Sequence, residues 1–97
     1  MSKFKSLING QKPVLVDFYA TWCGPCKTMS PILEQVKNEV GDKVHVVKVD
    51  VDKNQRAAHE YGIRGVPTFI LFKNGKPKWR QSGVVPKHVL LDVLKKS

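Results

Sequence analysis

The stretch PVLVDFYATWCGPCKTMSP, residues 13–31, contains the features that determine the fold of this sequence. From Pro13 to Ala20 it is a run of apolar residues rich in β-branched and aromatic types, interrupted by Asp17. Such a run is typical of a strand covered on both faces. The two cysteines of the chain, Cys23 and Cys26, follow at the start of a helical pattern. The stretch therefore predicts a buried strand that leads into a helix, with both thiols at the junction.

The segments that follow predict an α/β domain with a mixed sheet. The helix after the cysteines should extend to Val40, and Pro31 should kink it. Residues 43–52, KVHVVKVDVD, predict a second buried strand. Two strand-like runs then flank Asn74-Gly75, a dipeptide that tolerates the positive φ angles of a tight hairpin turn. The end of the sheet is therefore predicted to be antiparallel.

Three shorter helices complete the predicted order. The first has an apolar face at Phe4, Leu7 and Ile8 and ends near Gly10, and another covers residues 54–61. Pro86 suits the first turn of the last helix. The apolar stripe of that helix comprises Val89, Leu90, Val93 and Leu94. Since no repeat or linker interrupts this order, residues 1–97 are predicted to form a single domain.

The composition is that of a globular protein with an excess of positive charge. Hydrophobic residues make up 41% and charged residues 26% of the chain. The sequence contains neither an apolar run of membrane-spanning length nor a signal-peptide stretch, so we expect a cytoplasmic protein without a membrane partner. The net charge of +9 favours acidic partners. Because the cations are spread along the chain without a nucleic-acid-binding motif, nucleic acid is not an expected partner.

Two cysteines separated by two residues have three common uses. A structural zinc site needs further ligands, and the three histidines lie in different segments without paired spacing. A structural disulfide across so short a loop constrains little chain entropy, and a reducing cytoplasm would not maintain it. A redox pair needs one thiol at a helix start, where unpaired N–H groups stabilise the thiolate, and a second within reach of it. The redox use fits the sequence best.

The segments VDFYATWCGPCK, GIRGVPTF and LFKNGK together resemble the thioredoxin family, in the right order from about Pro13 onwards. The resemblance implies the thioredoxin fold, in which helices flank a central mixed sheet. It also implies a dithiol–disulfide reductase that acts on disulfide-containing client proteins and is recharged by an NADPH-dependent thioredoxin reductase. The redox group is then the Cys23–Cys26 disulfide itself, and no separate cofactor or metal is expected.

The resemblance assigns roles within the WCGPC motif. Cys23 matches the nucleophile and Cys26 matches the resolving thiol. Gly24 and Pro25 shape the turn between them and belong to the predicted client-binding surface. Trp22 matches the tryptophan beside the site, where an indole next to an exposed thiol suits client docking better than core packing.

Asp17 matches the buried carboxylate that the family places under the second cysteine. An unpaired acid among apolar residues costs stability, so a purely structural role explains it poorly. Burial should raise its pKa and suit it to exchange protons with Cys26 near neutral pH. Lys48 matches a lysine on the adjacent strand and could moderate that rise, although simple surface exposure explains Lys48 nearly as well.

Three further residues are expected to bind the client. The resemblance implies a cis peptide bond between Val66 and Pro67, which would let the Val66 backbone pair with a client strand. An ordinary trans proline at a strand start is the alternative. Gly83 is predicted to line the same groove, where two backbones must approach closely.

The sequence departs from the family in two respects. The family's first strand has no counterpart, so the sheet should have four strands, with residues 44–51 at an edge. We expect this edge to be covered, or to be used for weak self-association of an otherwise monomeric protein. The second departure is a group of cations on the predicted hairpin: Lys73, Lys76, Lys78 and Arg80. Solvated positions explain these cations, and steering of acidic partners is the functional alternative.

Two other functions stay open at this point. The fold could serve as a redox-dependent binding subunit, or the cysteine pair could act as an oxidase or isomerase. The dipeptide Gly24-Pro25 resembles that of the reductants among related proteins, which favours a reductase.

Overall fold

The computed structural model describes residues 3–97, and its elements follow the predicted order. The elements are α1 (Lys3–Ile8), β1 (Val14–Tyr19), α2 (Gly24–Val40), a 3-10 turn (Gly41–Lys43), β2 (His45–Asp50), α3 (Gln55–Glu60), β3 (Thr68–Lys73), β4 (Lys76–Ser82) and α4 (Lys87–Lys95). The strand β2 is shorter than the predicted 43–52, because the 3-10 turn precedes it and a turn begins at Val51.

The strands form one mixed sheet in the order β2-β1-β3-β4. β1 pairs parallel with β2 and antiparallel with β3, and β3 and β4 form an antiparallel hairpin. The hairpin turn has positive φ angles at Asn74 (54°) and Gly75 (79°), as its sequence predicted. The four-stranded thioredoxin fold and the edge position of β2 are confirmed.

The two faces of the sheet carry separate apolar clusters. Side chains of β1 alternate between them, so that Leu15 packs with α2 and α4, whereas Val16 packs with α1 and α3. On the α1 side, the half-buried Phe4 ring lies 5.8 Å from the rings of both Phe18 and Phe72. By the same alternation Asp17 lies on the α2 side of the sheet.

The helix α2 begins within the stretch of residues 13–31 that contains both cysteines. Its buried side chains recur at three and four: Cys26, Met29, Leu33 and Val36. The helix is continuous through Pro31, and the kink expected there stays a prediction. At the far end, the N–H of Gly41 (φ 56°) donates to the carbonyl of Lys37 and closes the helix. The buried face of α2 at Met29, Leu33 and Val36 packs against the sheet.

Candidate active site

The two cysteines lie where β1 passes into α2, as predicted, and they are joined by a disulfide. Cys23 caps the helix: the N–H of Cys26 donates to Cys23 Sγ at 3.1 Å. Since the first N–H groups of a helix have no partner within it, they favour negative charge at this position. The same N–H group and helix end are placed to stabilise a thiolate on Cys23 once the disulfide is reduced.

The disulfide is less exposed than the sequence suggested. Cys23 is only 3% exposed and Cys26 only 4%. The expectation of an exposed thiol was wrong because both cysteines pack with Ala20 and with the partly buried residues Tyr19, Val51 and Val66. The neighbouring Gly24 and Pro25 are exposed. The sulfur atoms are therefore bordered at the surface by the exposed residues Trp22, Gly24 and Pro25.

Trp22 is the largest exposed element of that surface, with 69% of the residue accessible. Its Nε1 donates to Asp52 Oδ2 at 2.9 Å, which orients the indole in solvent. The N–H of Asp52 in turn donates to Asp50 Oδ1 at 2.8 Å. Sequence reasoning missed Asp52. The available signal was that the carboxyl ends of the parallel strands β1 and β2 must meet, which brings Asp52 beside Trp22.

A cleft of about 340 Å³ opens next to Trp22 and is lined by Val51, Ile63, Arg64, Gly65 and Val66. The carbonyl oxygen of Val66 lies 3.5 Å from Cys23 Sγ. The cleft therefore offers a mainly apolar floor and one guanidinium beside the reactive sulfur atom.

The cleft ends at Val66, where the chain enters β3 through Pro67. The Val66-Pro67 peptide bond is cis. The carbonyl of Pro67 accepts a hydrogen bond from the N–H of Gly83 at 2.8 Å, so the segments on either side of the hairpin are joined here. Gly83 has a φ of +90°, and a Cβ at this position would meet nothing within 4 Å. In the free protein, its backbone conformation rather than crowding accounts for the glycine.

Asp17 is completely buried, and no hydrogen-bond partner of either carboxylate oxygen is found among residues 3–97. Burial raises the pKa of Asp17 to about 6, and the positive charge of Lys48 opposes the rise. The two residues are direct partners across β1 and β2. Lys48 therefore moderates the pKa of Asp17, as expected, without forming an ion pair within 4 Å among the described residues.

Lys48 is exposed, but it is also anchored. Its Nζ donates to Ser30 Oγ at 2.9 Å and lies 4.7 Å from the centre of the Tyr19 ring. Because Ser30 belongs to α2 and Tyr19 to β1, the lysine connects the sheet edge to the helix that carries the cysteines. The expected surface exposure of Lys48 is confirmed, and its place in the site stays a prediction.

The hairpin cations are not part of this site. The strand β3 begins at Thr68 beside the cis peptide bond and ends at Lys73, so the hairpin turn lies at the opposite end of the sheet. Arg80 donates to the backbone carbonyls of Tyr61 and Gly62, which gives it a structural role.

A disulfide between two cysteines at a strand-to-helix junction, in contact with the residue before a cis-proline, defines a thiol–disulfide oxidoreductase. The Thioredoxin family model matches residues 1–96. The chain belongs to the thioredoxin family.

Named relatives and a solved structure agree with this assignment. "Thioredoxin Y, chloroplastic" of Oryza sativa subsp. japonica is 53% identical over 91 residues, 93% of this chain and 54% of the relative. The chain thus spans about half the length of this relative. "Thioredoxin" of Rickettsia prowazekii (strain Madrid E) is 46% identical over 97 residues, 99% of this chain and 92% of the relative. The crystal structure of Malassezia sympodialis thioredoxin (Mala s 13) has a TM-score of 0.88 at 42% identity, over 96% of this chain and 83% of that one.

Proposed function

We propose that this protein reduces disulfides in client proteins through its Cys23–Cys26 pair. The observation that carries the proposal is the position of Cys23 Sγ, which lies at the N-terminus of α2 and beside the Val66 carbonyl. That position joins a stabilised thiolate to a surface on which a client chain can lie.

The proposed exchange transfers two electrons to the client. In the reduced protein, Cys23 thiolate attacks one sulfur of the client disulfide, and the other client sulfur leaves as a thiolate that takes up a proton. Cys26 then loses its proton and attacks Cys23 Sγ. The Cys23–Cys26 disulfide forms, and the second client sulfur is released and protonated. No further cofactor is needed, because the two thiols of Cys23 and Cys26 supply both electrons and are left as the disulfide.

Asp17 is the proposed acceptor of the Cys26 proton. Its buried position on the α2 side of the sheet supports this role. Its pKa of about 6 supports it too, because the carboxylate is then mostly ionised at neutral pH and free to accept a proton. Lys48 is proposed to keep the carboxylate ionisable, since it lowers a pKa that burial alone would raise further.

The proposed client-binding surface consists of Trp22, Gly24, Pro25, Val66, Pro67 and Gly83. Trp22 supplies exposed apolar area, and its orientation is fixed by Asp52. A client strand is proposed to pair with the backbone at Val66, beside the sulfur that it must meet.

Insulin reduction tests the nucleophile. The Cys23→Ser variant should lose activity with dithiothreitol as the electron donor, because no thiolate remains at the client-facing position. A fully active Cys23→Ser variant would overturn the assignment. The Lys37→Ser variant, at an exposed position of α2, serves as the control and should keep normal activity.

A Cys26→Ser trap distinguishes the reductase from a binding subunit. Without the resolving thiol, mixed disulfides with Cys23 should accumulate, and many different disulfide-linked clients should be recovered. A single partner held in fixed stoichiometry without a disulfide would indicate a subunit of a larger assembly instead.

The proposed electron donor is an NADPH-dependent thioredoxin reductase. The support is the family, together with the named thioredoxin relatives. A purified bacterial thioredoxin reductase should oxidise NADPH in the presence of this protein and insulin. Absence of NADPH oxidation with an enzyme that is active on its own thioredoxin would count against this partner.

The proposed compartment is the cytoplasm, where thiols are kept reduced. Within residues 3–97, no helix combines the length and apolarity needed to cross a bilayer. The Oryza sativa relative is named as chloroplastic, which offers a plastid as the alternative reducing compartment. Fractionation of the source cells, with detection by a specific antibody, decides between them.

A further inference from the structure

Two adjoining grooves lie at the end of the sheet opposite the cysteine pair. The first, of about 720 Å³, runs between α4 and the β3–β4 hairpin and is lined in part by Trp79 and Val93. The second, of about 450 Å³, lies on the other side of α4 and is lined in part by Val40 and Leu91. Lys73 lines both grooves, so they form one continuous surface, which we call the basic groove.

The rim of the basic groove is strongly positive. It carries five lysines: Lys43, Lys73, Lys78, Lys95 and Lys96. The ion pairs found within residues 3–97 are Lys5–Glu60 and Lys87–Glu39, and they include none of these five. Glu39, which lines the second groove, is already engaged by Lys87. The rim charges are therefore not neutralised by the described part of the chain.

A β-bulge directs one of these lysines into the groove. The pairing of β3 with β4 shifts between Leu71 and Phe72, since Leu71 faces Trp79 while Phe72 faces Pro77. Lys78 is the extra residue. Neighbouring side chains of a regular strand point to opposite faces, yet Lys78 and Trp79 both line the first groove. A bulge re-aims side chains in this way and is a feature that a fold uses at functional positions.

We propose that the basic groove docks an acidic, amphipathic segment of a partner protein. The apolar floors, at Trp79 and Val93 in the first groove and at Leu91 in the second, would receive the apolar side chains of the segment. The rim lysines would pair with its carboxylates. Docking at this end leaves Cys23 and its client surface free. The groove is therefore a holding site that works in either redox state, and it adds to the proposed disulfide reduction without depending on it.

The shape and chemistry of the groove favour a peptide over other anions. Among residues 3–97, the large apolar side chains that are exposed are those of Trp22 and Val84, so the rim offers none that could insert into a lipid surface. The rim is built from lysines without arginines, and its aromatic residue, Trp79, is half-buried, whereas single-stranded nucleic acid is bound on exposed aromatic faces. A concave apolar floor below lysines fits a chain segment with side chains of both kinds.

Trp79 fluorescence tests the proposal in the Trp22→Phe background, where the groove indole is the only tryptophan. The probe is a synthetic peptide of leucine and glutamate with helical spacing. It should change the fluorescence in both the oxidised and the reduced protein. Raising the salt from low to physiological concentration should weaken binding. The same peptide with glutamine in place of glutamate should bind at least about tenfold more weakly.

Two double variants with equal charge change locate the site. Lys78→Glu with Lys96→Glu, on the rim, should weaken peptide binding by about tenfold or more, and in the protein that keeps Trp22 the same two substitutions should leave insulin reduction normal. Lys53→Glu with Arg56→Glu, on the α3 side, should leave peptide binding unchanged. Equal loss in both double variants would overturn the proposal, because net charge alone would then explain binding. Binding of a DNA oligonucleotide or of phosphatidylglycerol vesicles through the rim lysines, with no binding of the peptide, would also overturn it.

Discussion

At the scale of single residues, Asp17 links stability to function. The folded protein holds the Asp17 proton more tightly than the unfolded chain does, because burial raises the pKa from 3.8 to about 6. Asp17 therefore contributes most to the free energy of unfolding below its unfolded pKa of 3.8. This contribution is lost as the pH rises through the folded pKa of about 6, and the loss levels off above that value. Ionised Asp17 therefore lowers the free energy of unfolding at neutral pH. This cost agrees with a functional role for Asp17 as the proposed acceptor of the Cys26 proton.

Replacing this carboxylate should stabilise the oxidised protein at high pH. We expect Asp17→Asn to gain about 2–3 kcal/mol of unfolding free energy at pH 8, because the cost of burying the charge is removed. At pH 4 the gain should largely disappear. Urea unfolding at the two pH values measures both effects, with the exposed Asp42→Asn as the control. An equal gain at pH 4 and pH 8 would show that packing, and not ionisation, is responsible.

The hydrogen bond from Trp22 to Asp52 has a different consequence, since it orients the docking surface. The Asp52→Ala variant should leave the indole free to rotate and raise the KM for insulin by about two- to fivefold, as expected for loss of an exposed hydrogen bond to a charged group. Reaction of the reduced protein with a small aromatic disulfide should keep its rate, because such a substrate needs little of the docking surface. If Asp52→Ala slowed insulin reduction and the reaction with the small disulfide equally, and the neighbouring Lys53→Ala control slowed neither, Asp52 would act in the thiol–disulfide exchange itself instead.

At the scale of elements, the β3–β4 hairpin is coupled to α1 through its turn. The N–H of Asn74 donates to the carbonyl of Gly10 at 2.8 Å, and the N–H of Gly75 donates to that of Ile8 at 3.0 Å. Gly75 has a φ of +79°, and an added Cβ would lie 3.3 Å from Asn9 Oδ1. The turn therefore needs glycine both for its backbone conformation and for its contact with the end of α1.

We expect Gly75→Ala to lower the unfolding free energy by about 1–2 kcal/mol, the cost of a left-handed conformation for a residue with a Cβ. Gly10→Ala is the matched control, because no positive φ is found there and a Cβ would meet nothing within 4 Å. Urea unfolding compares the two. A loss for Gly75→Ala no larger than that for Gly10→Ala would mean that the turn tolerates alanine.

The edge strand β2 offers a backbone that can pair further. The N–H group of His45 donates to the carbonyl of Pro13, and that of Val51 donates to the carbonyl of Tyr19. The backbone groups of the odd-numbered β2 residues therefore bond to β1, whereas the backbone N–H groups of Val46 and Lys48 face the open edge. If the edge is used for self-association, the amides of Val46 and Lys48 should become protected from exchange as the concentration rises. Sedimentation should then show a dimer. A monomer at high concentration, with rapid exchange at both amides, would contradict edge pairing.

At the scale of the whole molecule, sequence patterns predicted the elements well and the contacts between distant residues poorly. The alternation and spacing around β1 and α2 were enough to place both cysteines, because those patterns are local. The Trp22–Asp52 hydrogen bond, the near-complete burial of Cys23 and the backbone contacts of Arg80 each depend on segments far apart in sequence. The extent of the domain and the roles of the site residues stay predictions.

The reduction potential of the Cys23–Cys26 couple tests the proposed reductase most directly. Equilibrium titration of the purified protein against dithiothreitol buffers of known poise would give its value. A reductase should have a potential more negative than the cytosolic glutathione poise of about −220 to −260 mV, so that electrons flow from Cys23 and Cys26 to client disulfides. A potential near or above about −180 mV would contradict the account, because the pair would then act as an oxidant or isomerase and the proposed exchange would run in reverse.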